Sequence, residues 1–306
     1  MRLLPFFLAG ACLAQAPDAN QLERIQSQLG LLESLITRSK APADLRADVA
    51  IYAKAAHWIL RHPEEFYKPE YKEQLASILD RGTNRAAELA QGSASWARQT
   101  GRLSRAYVSR VDGSLQPYGV IIPESYDPSK PTRLDVVLHG RAAQMNEVNF
   151  LFAHDSPKPV PSEQKQIVLE VFGRTNNAYR WAGETDVFEA IESVRSRYNV
   201  DPDRVVLRGF SMGGAGAWHI ACTIRASGPQ SKQAPGSPRR VSMQNFRRTR
   251  PITFSESFTF TMQPITPKTR LMSRSSDTAE RSIRSFERAS SSRKASRVCR
   301  ICGRSS

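Results

Sequence analysis

Cysteine is missing from most of this chain: its four cysteines are Cys12, Cys222, Cys299 and Cys302, so nothing between Pro17 and Ala221 can form a disulfide. That body must hold itself together by packing and hydrogen bonds alone. Histidine is as scarce, with five in all and none after His219. Any imidazole chemistry therefore has five candidates, His57, His62, His139, His154 and His219. Cys299 and Cys302 form a lone CxxC with no second pair, which excludes a four-cysteine zinc site. Nothing else in the sequence implies a metal or a cofactor. Past the first sixteen residues no apolar run approaches the length of a membrane span.

Acidic residues are nearly absent from one region only. Residues 222–306 carry 18 Lys and Arg against 4 Asp and Glu, a net of +14 out of the formal +15 of the whole chain. The first 221 residues are therefore close to neutral, as an ordinary globular chain is. A length of 306 residues suits one α/β domain with additions, or two small domains. Residues 1–16 combine Arg2, an apolar stretch and a small-x-small end at Ala14–Ala16. This reads as a secretory signal cleaved after Ala16, which makes the protein exported, periplasmic or extracellular. Lipoprotein anchoring at Cys12 is disfavoured, because Ala9 stands where Leu is usual.

From residue 17 to about 107 the pattern is helical. Leu22, Ile25, Leu29, Leu32 and Ile36 recur at three- and four-residue spacing, Pro42 and Asp44 restart a helix, and Leu75, Ile78 and Leu79 belong to a third. These stripes are packing surfaces, and His57 and His62 within them are read as structural. Around Leu115 the signal turns to strands. Leu115–Pro123 reads as an outer strand, Arg133–Leu138 as a buried one, Gln166–Phe172 as a third and Arg204–Leu207 as a fourth. Glu184–Tyr198 is an amphipathic helix between the last two, and Asp201-Pro202-Asp203 reads as its closing turn. The alternation predicts an α/β fold with a doubly wound, mostly parallel sheet across residues 108–221, incomplete in this chain and preceded by the helical region.

The last strand runs directly into Arg208-Gly209-Phe210-Ser211-Met212-Gly213-Gly214-Ala215-Gly216. A strand, then G-x-S-x-G, then a run of small residues is the spelling of the α/β-hydrolase nucleophile elbow. The glycines are needed because the Ser sits on a strained turn, where side chains two positions before or after it would clash. Ser211 is the candidate nucleophile, with the N-terminus of the following helix favouring negative charge beside it. Leu134–Leu138 ends in His139-Gly140-Arg141-Ala142, and in this fold the loop after that strand lends a backbone N–H to the oxyanion hole. The backbone of Gly140, Arg141 and Met212 supplies the candidate donors. His139, His154, Asn176, Asn177 and Trp181 are candidate pocket walls, with His154 on a loop and the first suspect should a base be present. His219 follows Ser211 by eight residues, about 12 Å along a helix axis, too far for the hydrogen bond a base must make.

The triad acid and His should follow the nucleophile, and neither is there. Residues 222–306 hold 17 Ser and little periodicity. One reading is a disordered basic tail. The other is a reading frame displaced near Ala221. Starting each codon one base earlier keeps the first two bases of each codon as the last two of the next reading. Cys222–Gly236 (CTIRASGPQSKQAPG) can then become LHYPGLWAAVEAGAG, and Ser237–Arg247 can become FAETREYAKLP. Met272–Arg284 (MSRSSDTAERSIR) can become DVPVVGYGGEIDP, a strand rising into G-x-x-D, where the fold presents its acid. The borrowed base cannot by itself create these apolar patterns. The same displacement makes the CxxC accidental and, with no regular repeats or interleaved aromatics, leaves no nucleic-acid partner expected.

From about Leu115 to Ala221 the chain resembles the catalytic domain of the prolyl oligopeptidase family and, more broadly, secreted esterases of that fold. The resemblance rests on V-V-L-H-G, on R-V-V-L-R-G-F-S-M-G-G and on the D-V-F-E-A-I helix. It implies a serine hydrolase acting through an acyl-enzyme at Ser211 on a small-molecule ester or a peptide. A helical N-terminal region stands in place of that family's β-propeller. The rival expectation is a non-enzymatic interaction protein on a hydrolase scaffold, its basic tail reaching a partner such as a nucleic acid.

Overall fold

Three helices come first among the described residues. In the computed structural model, which describes residues 16–226, α1 spans Ala19–Arg38. Its cap is reciprocal: Asp18 accepts from the Gln21 N–H at 2.8 Å, and the Gln21 side chain accepts from the Asp18 N–H at 3.1 Å. α2 spans Ala43–Arg61 and α3 spans Tyr71–Ala90. Gly82 lets α3 close on α2, because a Cβ there would lie 2.9 Å from the Cβ of Tyr52. Ile25, Leu29 and Leu32 of the first stripe are buried in the resulting core, as the periodicity predicts.

Five strands follow: β1 Gly101–Val108, β2 Leu115–Ile122, β3 Thr132–Leu138, β4 Ile167–Val171 and β5 Val200–Gly209. Their order in the sheet is β1-β2-β4-β3-β5, with β1/β2 and β2/β4 antiparallel and β4/β3 and β3/β5 parallel. The helices between are α4 Glu147–His154, α5 Ala182–Arg197 and α6 Met212–Ala226. The fold is α/β, with helices on both sides of a mixed sheet that is parallel through β4, β3 and β5. One face carries Val120, Val136, Leu169 and Leu207 into a core with Val187 and Ile191 of α5 and Ile220 of α6. On the other side, Ala106 of β1 and Val148 and Leu151 of α4 join the core of α1–α3.

Three expectations change. The helical region closes with a short turn at Ser95–Arg98, and Gly101–Val108 is a strand rather than helix. Ser104 and Arg105 hide its alternation, because both are buried on polar partners rather than apolar ones. With β1 in place, β2 pairs on both sides and is not an outer strand. Asp201-Pro202-Asp203 lies within β5, where the register against β3 shifts between Thr132 and Leu134. Helix α6 is described as far as Ala226. Residues 1–15 of the expected signal at 1–16 and residues 227–306 of the expected tail at 222–306 lie outside the described residues.

Register positions the site. Leu138 pairs with Val171 on one side and Gly209 on the other, so β3, β4 and β5 end level. The three loops that leave those ends therefore emerge at one edge of the sheet.

Candidate active site

Ser211 occupies the turn between β5 and α6 with φ +53°, in the left-handed region that costs a non-glycine residue on the order of 1 kcal/mol. The glycines around it leave no alternative. A Cβ on Gly209 would stand 2.1 Å from the carbonyl oxygen of Gly213, and one on Gly213 would stand 2.0 Å from that of Leu138. The backbone of α6 thus rests directly on the end of β3. The Ser211 side chain is left exposed at the N-terminus of α6, next to Phe210, which is 78% exposed.

The loop after β3 runs beside it. A Cβ on Gly140 would be 3.6 Å from the Ser211 Cβ. The amides that flank this point are engaged: the His139 N–H donates to the Tyr179 hydroxyl at 2.7 Å, the Ala142 N–H to Asn176 Oδ1 at 3.0 Å, and the Gly213 N–H to the Phe210 carbonyl at 2.9 Å. Among the described residues, the N–H groups of Gly140, Arg141 and Met212 donate to no protein group. The candidate oxyanion donors are thus the amides left unclaimed. His139 itself is a strut, with Nδ1 2.8 Å from the Gly140 carbonyl and Nε2 3.0 Å from that of Phe172.

Residues 173–181, after β4, form the third loop. Gly173, Arg174, Thr175, Ala178, Tyr179 and Trp181 all have φ between +53° and +69°. Such a backbone persists only where its surroundings hold it. Arg174 is tied to Asp186 of α5 at 2.9 Å and to Asp112, and the Asn177 side chain accepts from the Tyr179 N–H at 2.8 Å. Asn176 returns the clasp on the neighbouring loop, donating to the Ala142 carbonyl at 3.0 Å. Asn176 and Trp181 are exposed on this loop, Trp181 at 79%.

Tyr179 is the residue sequence reasoning missed. It is fully buried, its hydroxyl accepts from His139 and donates to the Val171 carbonyl at 3.2 Å, and so it joins the ends of β3 and β4. Its ring fills space left by two glycines: a Cβ on Gly173 would be 2.5 Å from it, and one on Gly216 2.7 Å. Burial raises its phenol well above the ordinary range, against the pull of the His139 amide. The hydroxyl therefore stays a donor throughout the neutral range. The pairing of glycines far apart in sequence was the only available signal.

His154 is corrected. It is the last residue of α4 rather than a loop residue, and it is buried. Its Nδ1 sits 2.8 Å from the Phe150 carbonyl and its Nε2 2.6 Å from Glu170 Oε2. A ring so engaged is a joint between α4 and β4, not a pocket wall or a free base. Burial opposes the charge on Glu170, but the hydrogen bond and the field of His154 hold its carboxyl below the usual range. His219 bonds Glu184 of α5 at 2.8 Å, His57 bonds Glu33 at 2.6 Å and His62 lies 3.2 Å from Glu64. Among the described residues, no histidine or carboxylate hydrogen-bonds the Ser211 hydroxyl.

No family model and no curated protein matches the chain. Solved structures similar to part of it include a thermostable esterase, with 20% identity over 40% of this chain and 38% of that one at a TM-score of 0.30. A fluorophosphonate-binding serine hydrolase of Staphylococcus aureus gives 23% identity over 42% and 54% at 0.31. The feruloyl esterase module of Clostridium thermocellum, complexed with sinapinate, gives 23% over 41% and 50% at 0.30. The chain spans about half or less of the length of these proteins.

Proposed function

We propose that this chain derives from an exported serine hydrolase that opens an ester or peptide-like carbonyl through an acyl-enzyme at Ser211. One observation carries the reading: an exposed serine held at φ +53° on a glycine-built turn, beside three unclaimed backbone amides. Attack would join Ser211 Oγ to the carbonyl carbon. The amides of Met212 and of Gly140 or Arg141 would stabilise the oxyanion, and the alcohol or amine would leave with the proton taken from Oγ. Water would then release the acid. The prolyl oligopeptidase-like peptidase and the secreted esterase are the two forms of this reading that the sequence resemblance supports.

The proton relay is the missing part. We attribute the lack of a triad acid and a triad His after Ser211 to the displaced reading frame from about Ala221. The chain as it stands is then expected to turn over a p-nitrophenyl ester barely, since loss of triad members leaves only oxyanion and binding contributions. A frame-restored chain should gain on the order of a thousandfold or more and lose it in Ser211→Ala. Two results would overturn the proposal: stop codons early in the neighbouring frame, or full activity of the present chain surviving Ser211→Ala. Early stops would favour the rival, an interaction protein whose +14 tail is its working surface.

A further inference from the structure

Strand β1 is the first in the sheet order and pairs with β2 on one side only. In an antiparallel pair, alternate residues turn both their N–H and their C=O away from the partner strand. Ser104 and Ala106 are such residues, and their main-chain groups bond side chains in one repeated geometry. At Ser104, Asp155 Oδ1 accepts from the N–H at 2.9 Å and from Arg85 Nη2 at 3.3 Å, while Arg85 Nη1 donates to the carbonyl at 2.9 Å. At Ala106, Asp48 Oδ1 accepts from the N–H at 2.9 Å and from Arg197 Nη1 at 3.1 Å, while Arg197 Nη2 donates to the carbonyl at 3.3 Å. Each Asp–Arg pair thus exchanges two bonds with one residue, as the opposite residue of a neighbouring strand would. Each pair also spans the two halves of the fold. Asp48 belongs to α2 and Arg85 to α3, whereas Asp155 follows α4 and Arg197 ends α5. Neither pair forms until the helical layer closes on the sheet.

We propose that the two pairs act as a surrogate strand, by which the N-terminal helices keep the outer edge of β1 from pairing with β1 of a second copy of this chain. An ion pair that only joined two elements would have no need of the main chain. Here four bonds go to the N–H and C=O groups of two successive outward residues, the groups that a further strand would take. Ser104 and Ala106 are fully buried, so main-chain groups left unbonded there would be costly. A second copy fits the opened edge, because antiparallel pairing of β1 with itself about a two-fold axis meets each strand with the alternation it presents. The proposal is independent of the chemistry at Ser211.

Hydrogen exchange and sedimentation velocity on the full chain test it. In the unsubstituted protein the Ser104 and Ala106 amides are expected to exchange about as slowly as those of Leu103 and Arg105, which face β2. Arg85→Met with Asp155→Ala removes one pair whole, so neither charge stays buried alone. Exchange at Ser104 should then quicken about tenfold, and self-association should strengthen at least about fivefold, the worth of one strand hydrogen bond. Adding Val108→Pro should abolish the association and leave the faster exchange. Val108 ends β1 and is exposed, and by the same alternation its N–H lies on the outer edge, where proline blocks a new neighbour but not β2. Should the double variant not fold, Arg197→Lys, which keeps the charge but loses the fork, should give both changes in milder form at Ala106. Fast exchange at Ser104 and Ala106 in the unsubstituted protein would overturn the proposal. So would unchanged exchange in the variants, faster exchange without association, or association that survives Val108→Pro.

Discussion

At Ser211 the requirements of exposure and of stability oppose each other. Its φ of +53° belongs to glycine's part of conformational space, and the carbonyls that Gly209 and Gly213 approach prevent the turn from relaxing. Ser211→Gly is therefore expected to stabilise the protein by about 1 kcal/mol, net of the entropy glycine adds to the unfolded chain. Scanning calorimetry should find the melting temperature higher by roughly 2–4 °C. A lower one would mean that no strain is stored there. Tyr179 has the opposite character. Tyr179→Phe keeps the ring between Gly173 and Gly216 but strands the His139 N–H and the Val171 carbonyl, both otherwise bonded to its hydroxyl. A loss of about 1–3 kcal/mol in urea unfolding is expected. A neutral substitution would show that water replaces the phenol freely, and that Tyr179 does not set the loop after β3.

Between elements, the joint of α4 with β4 gives the structure a pH dependence of definite sign. Glu170 ionises below its ordinary range in the folded protein because His154 bonds it at 2.6 Å. The unfolded chain takes up that proton near the usual value, about 4.3. Within that window the unfolded state holds more protons than the native one, so stability falls as pH falls. Above it the contribution is fully present. Glu170→Gln should flatten the dependence of melting temperature on pH below about 4.5. An unaltered acid limb would remove Glu170 as its source. The joint also explains Gly119 on β2, where a Cβ would lie 1.9 Å from the His154 ring. Sequence reasoning put His154 on a loop, whereas in the helix Phe150, one turn earlier, stacks against its ring and accepts from it through its carbonyl.

Across the molecule, the N-terminal helices are joined to the sheet by buried charge. Asp48 of α2 is fully buried, accepts from the Ala106 N–H of β1 at 2.9 Å and from Arg197 of α5 at 3.1 Å, and lies 3.5 Å from Arg105. Asp155, just past α4, accepts from Tyr52 at 2.7 Å and from the Ser104 N–H at 2.9 Å, and pairs with Arg85. Asp48→Ala would take from Arg105 its paired carboxylate and from Arg197 one of its two, in a largely dry interior, at a cost of about 3–5 kcal/mol. Helices and sheet should then unfold together in one transition, followed by circular dichroism and by tryptophan fluorescence. Non-coincident curves would mean that the helical layer melts by itself and that the charges do not couple it to the sheet.

The elbow was legible in the sequence because its cause is short-ranged: glycines two positions either side of Ser211 answer contacts that any strand-turn-helix of this shape must make. Strands β2 to β5 and the stripes of α1 and α3 were legible for a related reason, since apolar periodicity marks a buried face directly. Strand β1 was not, because its buried Arg105 and Ser104 look like surface until Asp48 and Leu151, both distant in sequence, supply their partners. Tyr179 and His154 belong to the same class. Each depends on segments brought together only when the parallel strands end level and the helical layer closes over β1. A sequence read along its length reports which residues seek burial. Only the folded chain decides which polar groups find one another there, and so which backbone amides remain free beside Ser211.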